Sequence, residues 1–523
     1  MIKVVTGAEM GALDRRATAE FGIPTLLLME NAGLQVALAV EARYPRRQAP
    51  RVLVLTGKGN NGGDGFVVAR QLLTRGREVR TLLAAAADEV EGDARTNLAI
   101  LERTAGPVPA LRTPADLERA GADLAWADVV VDALLGTGAS GTPRGMVGEL
   151  IPRVNAAGRP VVAVDVPSGL GADGVGPVGL AVRATLTVAL GLPKRSLLLY
   201  PHAEWAGEVL TVEIGLPRAL REDAALSVDL PDARDVGALL PHRTPDAHKG
   251  SSGHVLVVAG SAGLTGAAAL CSQAALRIGA GLVTLAVPGS LNDVLEVKLT
   301  EVMTAALPET AERSLSQAAL APILALLDGK RVLALGPGLS THPETVKLVQ
   351  ALVAGCPVPI VLDADGLNAF AGEVARLERR QAPLVLTPHP GELARLLGVS
   401  IATVQADRVG VAREAAGRVG ATVLLKGARS VVAEPGGTLH ITGTGNPGMA
   451  TAGCGDVLTG VIAGLISQGM APAAAAMAGA YLHGAAGDLA AARHGAPGMV
   501  AGDLLAELAG ALGRARESAS GEA

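Results

Sequence analysis

Short apolar runs, mostly β-branched, alternate along the chain with glycine-rich turns and with longer stretches of helical spacing. Arg51-Val-Leu-Val-Leu55 leads through Thr56 to Asp64 into a helix predicted over Gly65 to Thr74. Val129-Val-Val-Asp132 runs into Gly136-Thr-Gly-Ala-Ser-Gly141, and Val161-Val-Ala-Val-Asp165 into Pro167-Ser-Gly169. Strands apolar at every position are buried on both faces, and their alternation with helices predicts a parallel α/β sheet.

The rhythm pauses between about Pro217 and Ser252, where Pro217, Pro231, Pro241 and Pro245 lie among mixed charges; a domain junction is predicted there. It then restarts. His254-Val-Leu-Val-Val258 precedes a helical run from Ala267 to Ile278, and Val332-Leu-Ala-Leu335 meets Gly336-Pro-Gly338. Ile360-Val-Leu362 ends in Asp363-Ala-Asp365, Leu384-Val-Leu386 in Thr387-Pro-His-Pro-Gly-Glu392, and Thr422-Val-Leu-Leu425 in Lys426-Gly427. Two α/β domains are therefore expected, each with a ligand site beyond the carboxyl ends of its strands. The residues from Glu517 to Ala523 read as a frayed tail.

A chain of 523 residues, 49% hydrophobic and 18% charged, suits two or three globular domains and excludes wholesale disorder. Aromatics are only 2%, so the core is expected to be aliphatic. Lys and Arg total 45 against 50 Asp and Glu, which speaks against nucleic acid as the main partner. Cys271, Cys356 and Cys454 are too few and too far apart for a disulfide framework. The N-terminus carries Glu9, Asp14, Arg15 and Arg16 instead of an apolar signal core. The Ala-rich stretch from Ala471 to Ala492 contains His483 and Asp488 and reads as a buried helix, not a membrane span. A soluble, cytoplasmic protein without membrane partners is expected, and a homo-oligomer.

Gly57-Lys-Gly59-Asn-Asn-Gly62 fits the GxGxxG dinucleotide pattern, but so does Gly136 to Gly141. The acidic residue expected after the next strand is missing, since Glu78 to Leu83 runs into Ala84 to Ala87; a conventional NAD oxidoreductase is disfavoured. The string Asn60-Asn61-Gly62-Gly63-Asp64-Gly65 says more. Its glycines let backbone N–H groups approach an anion, and its amides and carboxylate can hold hydroxyls or a cation. The plainer reading is a tight strand-to-helix turn capped by Asp64, with Asp132 and Asp165 as strand-end caps.

The second site centres on Thr444-Gly-Asn446-Pro-Gly448-Met-Ala-Thr-Ala-Gly453-Cys-Gly455-Asp456. Its glycines expose amides at a predicted helix N-terminus, where phosphoryl charge is stabilised, and Asp456 can accept a proton from an attacking hydroxyl. Asp456 could instead be an ordinary N-cap. No GxxxxGK[ST] string exists, so a P-loop nucleotidase is excluded. His389 lies between two prolines and could donate to a ligand or serve the loop alone. Asp363 and Asp365 could position magnesium or cap the next helix. Cys454 has no histidine nearby in sequence to make it a nucleophile.

Thr6-Gly-Ala-Glu-Met10, Asp14, Gly22-Ile-Pro24, Leu28-Met-Glu-Asn-Ala-Gly33 and Asn60 to Gly65, in that order, resemble the epimerase part of the bifunctional NAD(P)H-hydrate repair enzymes. His248-Lys-Gly250, Gly253 to Val258, Thr265-Gly-Ala-Ala268, Gly279 to Val283, Gly336-Pro-Gly338, Thr387 to Glu392, Lys426-Gly427 and Gly453 to Asp456 resemble the dehydratase part. The resemblance implies a Rossmann-like three-layer epimerase domain over residues 1–216 and a ribokinase-like, ADP-dependent dehydratase domain over 226–515. It implies contact with the hydrated dinucleotide at Asn60, Asn61, Gly62, Gly63 and Asp64. Gly136, Thr137, Gly138, Ala139, Ser140, Gly141, Thr142 and Asp165 belong to the same implied set. Potassium would lie on Asn61, Asp132 and Ser168. In the second domain it implies substrate contacts at Ala268, Gly338, His389 and Asp456. ADP or ATP, with Mg2+, would be held by Lys426, Gly427, Ala428, Arg429, Ser430 and Gly455. Asp456 and Asp165 are the expected catalytic residues. The implied chemistry is metabolite repair: epimerisation of R and S hydrates, then nucleotide-dependent dehydration of the S form to NAD(P)H with release of AMP and phosphate. The alternative is a ribokinase-like small-molecule kinase with an N-terminal nucleotide-binding module.

Overall fold

The computed structural model describes residues 1–139 and 141–521, and the chain separates into two compact units, Ile2–Leu226 and Ser227–Ala523. The first begins with the two-residue strand β1 (Ile2–Lys3) and continues with β2 (Arg51–Thr56), β3 (Glu78–Leu83), β4 (Val129–Ala133), β5 (Val161–Val164), β6 (Leu186–Leu190) and β7 (Glu208–Val212). These last six form one sheet in the order β3-β2-β4-β5-β6-β7, parallel throughout. The order reverses between β2 and β4, which opens a crevice at the carboxyl ends of those two strands.

The second unit contributes β8 (Val228–Leu230), β9 (His254–Val258), β10 (Leu282–Pro288), β11 (Met303–Leu307), β12 (Val332–Leu335), β13 (Ile360–Leu362), β14 (Leu384–Leu386), β15 (Thr422–Leu425), β16 (Val431–Ala433) and β17 (Leu439–Ile441). Their order is β8-β17-β16-β15-β14-β13-β12-β9-β10-β11, parallel from β11 to β15, with β16 antiparallel to both neighbours. The architecture is mixed α/β with parallel sheets, as the apolar runs predict. The core is aliphatic: β2, β4, β5, β9, β12 and β13 bury nearly every side chain.

Two expectations are corrected, at the Asn60 helix and at the tail, and the predicted junction gains detail. The helix predicted from Gly65 starts at Asn60, so the Asn-Asn-Gly-Gly-Asp string is its first turn. Low helix propensity loses to packing there. A Cβ on Gly62 would run into the Gly57 carbonyl, and one on Gly63 would lie 2.6 Å from Met29 Sδ. The junction predicted between Pro217 and Ser252 holds the boundary between the two units, at Leu226/Ser227, and the chain beyond it is structured: β8 joins the second sheet beside β17, and helix Ala233–Leu239 follows a capping box from Asp232 to Asp235. The tail is helical through Ser520, because helix Ala501–Ser520 buries Leu504, Leu508, Ala511 and Ala515. Helix Pro472–His494 covers the Ala-rich stretch, and among the described residues no helix is long and apolar enough to cross a membrane.

Candidate active sites

In the first unit a cavity of about 1180 Å³ opens at the crevice between β2 and β4. Its wall includes Asn60, Asn61 and Asp64 after β2, Gly136 to Ala139 after β4, and Asp165 after β5. Gly141 lines a smaller adjoining cavity of about 390 Å³ that shares Gly136 to Ala139. Gly62 and Gly63 line neither: they pack behind the wall, against Gly57 and Met29. Thr142 is exposed outside both, and Ser140 lies outside the described residues.

Asn61, Asp132 and Ser168 come together around the Leu135 peptide. Asn61 Nδ2 donates to the Leu135 carbonyl at 3.0 Å, and Leu135 N–H donates to Ser168 Oγ at 2.8 Å. Ser168 in turn donates to Asp132, through Oγ at 2.6 Å and N–H at 2.8 Å. Asp132 is wholly buried, and no cationic side chain among the described residues pairs with it. Burial lifts its pKa to about 6 against these hydrogen bonds.

Asp165 adopts φ 65°, a left-handed conformation that aspartate tolerates better than most residues. That turn aims Oδ1 at the Leu190 N–H, 3.0 Å away, and at the Lys194 ammonium. Lys194 is fully buried and also donates to the Leu190 carbonyl at 2.8 Å. Asp14, on helix Gly7–Phe21, and Lys194 both line the cavity. Burial, with Asp165 and Asp14 nearby, holds the Asp64 carboxyl well above the usual range. Lys194 is the residue that sequence reasoning missed; a lysine directly after an apolar strand, in Gly191-Leu-Pro-Lys194, was the available signal.

In the second unit Asp456 occupies the first turn of helix Cys454–Ser467. The N-cap is Gly453, with no side-chain cap, so Asp456 is not a cap. Among the described residues no hydrogen bond or ion pair engages its carboxylate. Burial, then Asp363, raises its pKa to about 6. The loop before it is tied to helix Pro472–His494: Thr444 Oγ1 donates to the Tyr481 carbonyl at 2.8 Å, while Gly445 N–H and Asn446 Nδ2 donate to Asp488. His483, buried in the same helix, contacts the Cys454 carbonyl at 2.8 Å, not its sulfur, and burial drops its pKa to about 4. Cys454 is buried and its thiol is pushed up by that burial, which removes it as a nucleophile.

Asp363 is buried between two donors, Lys426 Nζ at 2.6 Å and Thr459 Oγ1 at 2.7 Å. Burial works against the Lys426 charge, but Asp363 and Glu392 outweigh it and hold its pKa above the ordinary value. Asp365 accepts from Ser340 N–H and Asn368 Nδ2, and neither aspartate caps the short helix Asp365–Asn368. His389 is the N-cap of helix Pro390–Leu397: Nδ1 accepts from Gly391 and Glu392 N–H, and Nε2 of the half-exposed ring lies 3.5 Å from Glu392 Oε1.

The loop after β15 carries Gly427, Ala428, Arg429 and Ser430. Arg429 has φ 57° and reaches the Gly443 carbonyl; Ser430 Oγ donates to the Gly427 carbonyl at 3.1 Å. Arg408, unforeseen, underlies this loop and donates to the carbonyls of Leu425, Lys426 and Arg429. A cation at the first residue of helix Arg408–Val419 opposes the helix dipole, and that was its sequence signal. Gly338, with φ 64°, accepts from Ser261 Oγ, and Ala268 is buried in helix Thr265–Arg277 facing Gly260.

Comparison with known proteins finds a family described as YjeF-related protein N-terminus matching residues 25–196, and one described as NAD(P)H-hydrate dehydratase matching residues 255–509. A Moorella thermoacetica protein named bifunctional NAD(P)H-hydrate repair enzyme Nnr is 50% identical over 503 residues, covering 96% of this chain and 95% of its own. A Thermofilum pendens protein of the same name is 42% identical over 521 residues, covering 99% and 97%. Among solved structures, an ADP/ATP-dependent NAD(P)H-hydrate dehydratase from Bacillus subtilis, co-crystallised with ATP/Mg2+, is 30% identical. It covers 55% of this chain and 99% of its own, with a TM-score of 0.47.

Proposed function

The chain belongs to the family of bifunctional NAD(P)H-hydrate repair enzymes, and from that membership we propose how its two sites divide the work. Residues 1–216 epimerise the R and S forms of hydrated NADH and NADPH at C6. Residues 226–515 dehydrate the S form at the expense of a nucleotide, ADP in this reading, yielding NAD(P)H, AMP and phosphate.

The observation that carries the dehydratase assignment is Asp456: a half-buried carboxylate without a hydrogen-bond or ion-pair partner among the described residues, at the start of a helix that follows an anchored glycine-rich loop. Hydroxide leaves poorly and phosphate leaves well. With the hydrated ring beside Asp456, the carboxylate takes the C6 hydroxyl proton as the oxygen attacks the terminal phosphorus. The amides of the loop and helix N-terminus offset the growing phosphoryl charge. The ring nitrogen then expels phosphate, and loss of a C5 proton restores the dihydronicotinamide. Ala268, Gly338 and His389 are the further substrate contacts of this reading. Lys426 to Ser430 and Gly455 hold the nucleotide, whose phosphates bring Mg2+ with them. Asp363 is already engaged by Lys426 and Thr459, so the metal would depend on phosphate oxygens and water.

In the first unit the donor set suits potassium. Asn61, Asp132 and Ser168 offer hard oxygens around one peptide, and Asp132 is a buried carboxylate without a cationic partner among the described residues. A cation bound there would supply positive charge beside the substrate loop at Gly136 to Ala139. Asp165, which lines the cavity and is held by Lys194, is the proton-handling group.

The test is reduced-nicotinamide absorbance with mixed epimers of hydrated NADH and excess ADP or ATP. A fast S phase and a slower, complete R phase support both assignments. A stable phosphorylated product without recovery of NADH would make the second unit a kinase instead.

A further inference from the structure

Among the groups lining the first cavity, the carboxyls of Asp14, Asp64 and Asp165 share the enclosure of one buried ammonium, Lys194; Glu89, Asp93, Arg15, Lys58 and Arg144 line it as well. Lys194 is committed to Asp165 and to the Leu190 carbonyl, and Asp165 also accepts the Leu190 N–H. Asp14 Oδ1, by contrast, is buried and has no hydrogen-bond partner among the described residues. Three carboxylates outnumber one ammonium, and their shared enclosure disfavours ionising all of them. Burial, with Asp165 and Asp14 nearby, raises the Asp64 pKa well above its ordinary value.

We propose that Asp14 is a second catalytic acid–base residue of the first site, acting with the Lys194-held Asp165; this rests on the reading of that site as the epimerase. Epimerisation at C6 needs a proton given and a proton taken. Protonated Asp14 donates to the C6 hydroxyl. The C6–O bond breaks with its electron pair, water leaves, and the ring-nitrogen lone pair forms a C6=N bond. Water then adds to the other face of C6, the π pair returns to nitrogen, and the added water's proton passes to a carboxylate of the pair. No oxidant, reductant or nucleotide enters. Asp165, bound by Lys194 and the Leu190 N–H, serves as the acceptor, while Asp14, whose Oδ1 has no hydrogen-bond partner among the described residues, is free to exchange.

Burial, opposed by Lys194 and reinforced by Asp165, raises the Asp14 pKa to about 6. Such a group is populated in both protonation states near neutrality. The charged groups facing it are Lys194 after β6, Asp165 after β5, Asp64 on helix Asn60–Thr74, and Arg15 on its own helix.

The experiment is the progress curve of the full-length enzyme on mixed epimers with excess ADP, corrected for spontaneous epimerisation. Asp14→Asn should slow the R phase on the order of 10²-fold or more and leave the S phase unchanged. Asp14→Glu should restore part of the R phase and shift its pH profile. In the wild type the R-phase rate should fall as pH rises past about 6, where Asp14 loses its proton. A normal R phase in Asp14→Asn, beside a slowed one in Asp165→Ala, overturns the Asp14 assignment and leaves the epimerase reading intact. A normal R phase in both overturns the epimerase reading itself. Should Asp14→Asn fail to fold, a wild-type R phase flat with pH overturns the assignment.

Discussion

Lys426 donates to Asp363 over 2.6 Å, and a Cβ added to Gly455 would lie only 3.3 Å from the same ammonium. The lysine is thus held by a buried carboxylate directly beneath the helix that carries Asp456. Its position does not depend on a bound nucleotide.

Lys426→Met should therefore do two things. It should weaken ADP binding, and it should strand Asp363 as a buried unpaired charge, costing about 3–5 kcal/mol of the second unit's stability. Adding Asp363→Asn should recover much of the stability and none of the affinity. Thermal unfolding and ADP titration of the two variants separate these effects.

Asp456→Asn keeps the shape and removes the base, so dehydration should fall on the order of 10²- to 10⁴-fold while epimerisation persists. Near-normal NADH recovery in this variant would exclude Asp456 as the base.

The same residue predicts an opposite effect on stability. Asp456 binds its proton more tightly folded than unfolded, with its pKa raised from 3.8 to about 6 by burial. The folded state therefore loses stability as pH rises through that window and stays less stable above it. Asp456→Asn should be more stable than wild type above pH 6, by roughly 1–3 kcal/mol, and equal to it below pH 4. Urea unfolding at the two pH values checks this. Dehydration itself should rise through about pH 6 as the base ionises.

Replacing potassium by a bulky organic cation should slow the R phase and lower the unfolding temperature of the first unit. Asp132→Ala removes the acceptor for Ser168 N–H and Oγ as well as the charge. It should therefore lower that temperature further and abolish its response to potassium. A potassium response preserved in Asp132→Ala would place the ion elsewhere.

Gly62→Ala and Gly455→Ala should differ sharply. At Gly62 the new methyl meets the Gly57 backbone carbonyl, which cannot move aside, so the first unit should be strongly destabilised. At Gly455 it meets the end of a lysine side chain, so folding should survive while nucleotide affinity falls. Unfolding midpoints and ADP binding distinguish the two.

The apolar runs and glycine strings by themselves determined two α/β units and central strands such as β2, β4, β9 and β12, because burial on both faces and turn chemistry are local requirements; edge strands such as β7, β8 and β11, half-exposed or very short, left no such signal. Asp456 at a helix start was legible from the glycine-rich string before it; the Asn61, Asp132 and Ser168 grouping came from family resemblance alone. Only the tertiary structure decided what the side chains do. Helix Asn60–Thr74 begins five residues early because Gly62 and Gly63 pack against Gly57 and Met29, which overrides local propensity. Lys194 reaches Asp165, Lys426 reaches Asp363, and Arg408 holds the loop after β15; each partner lies far away in sequence or on another element. A buried charge needs a partner, but one-dimensional order does not say which partner the fold brings to it.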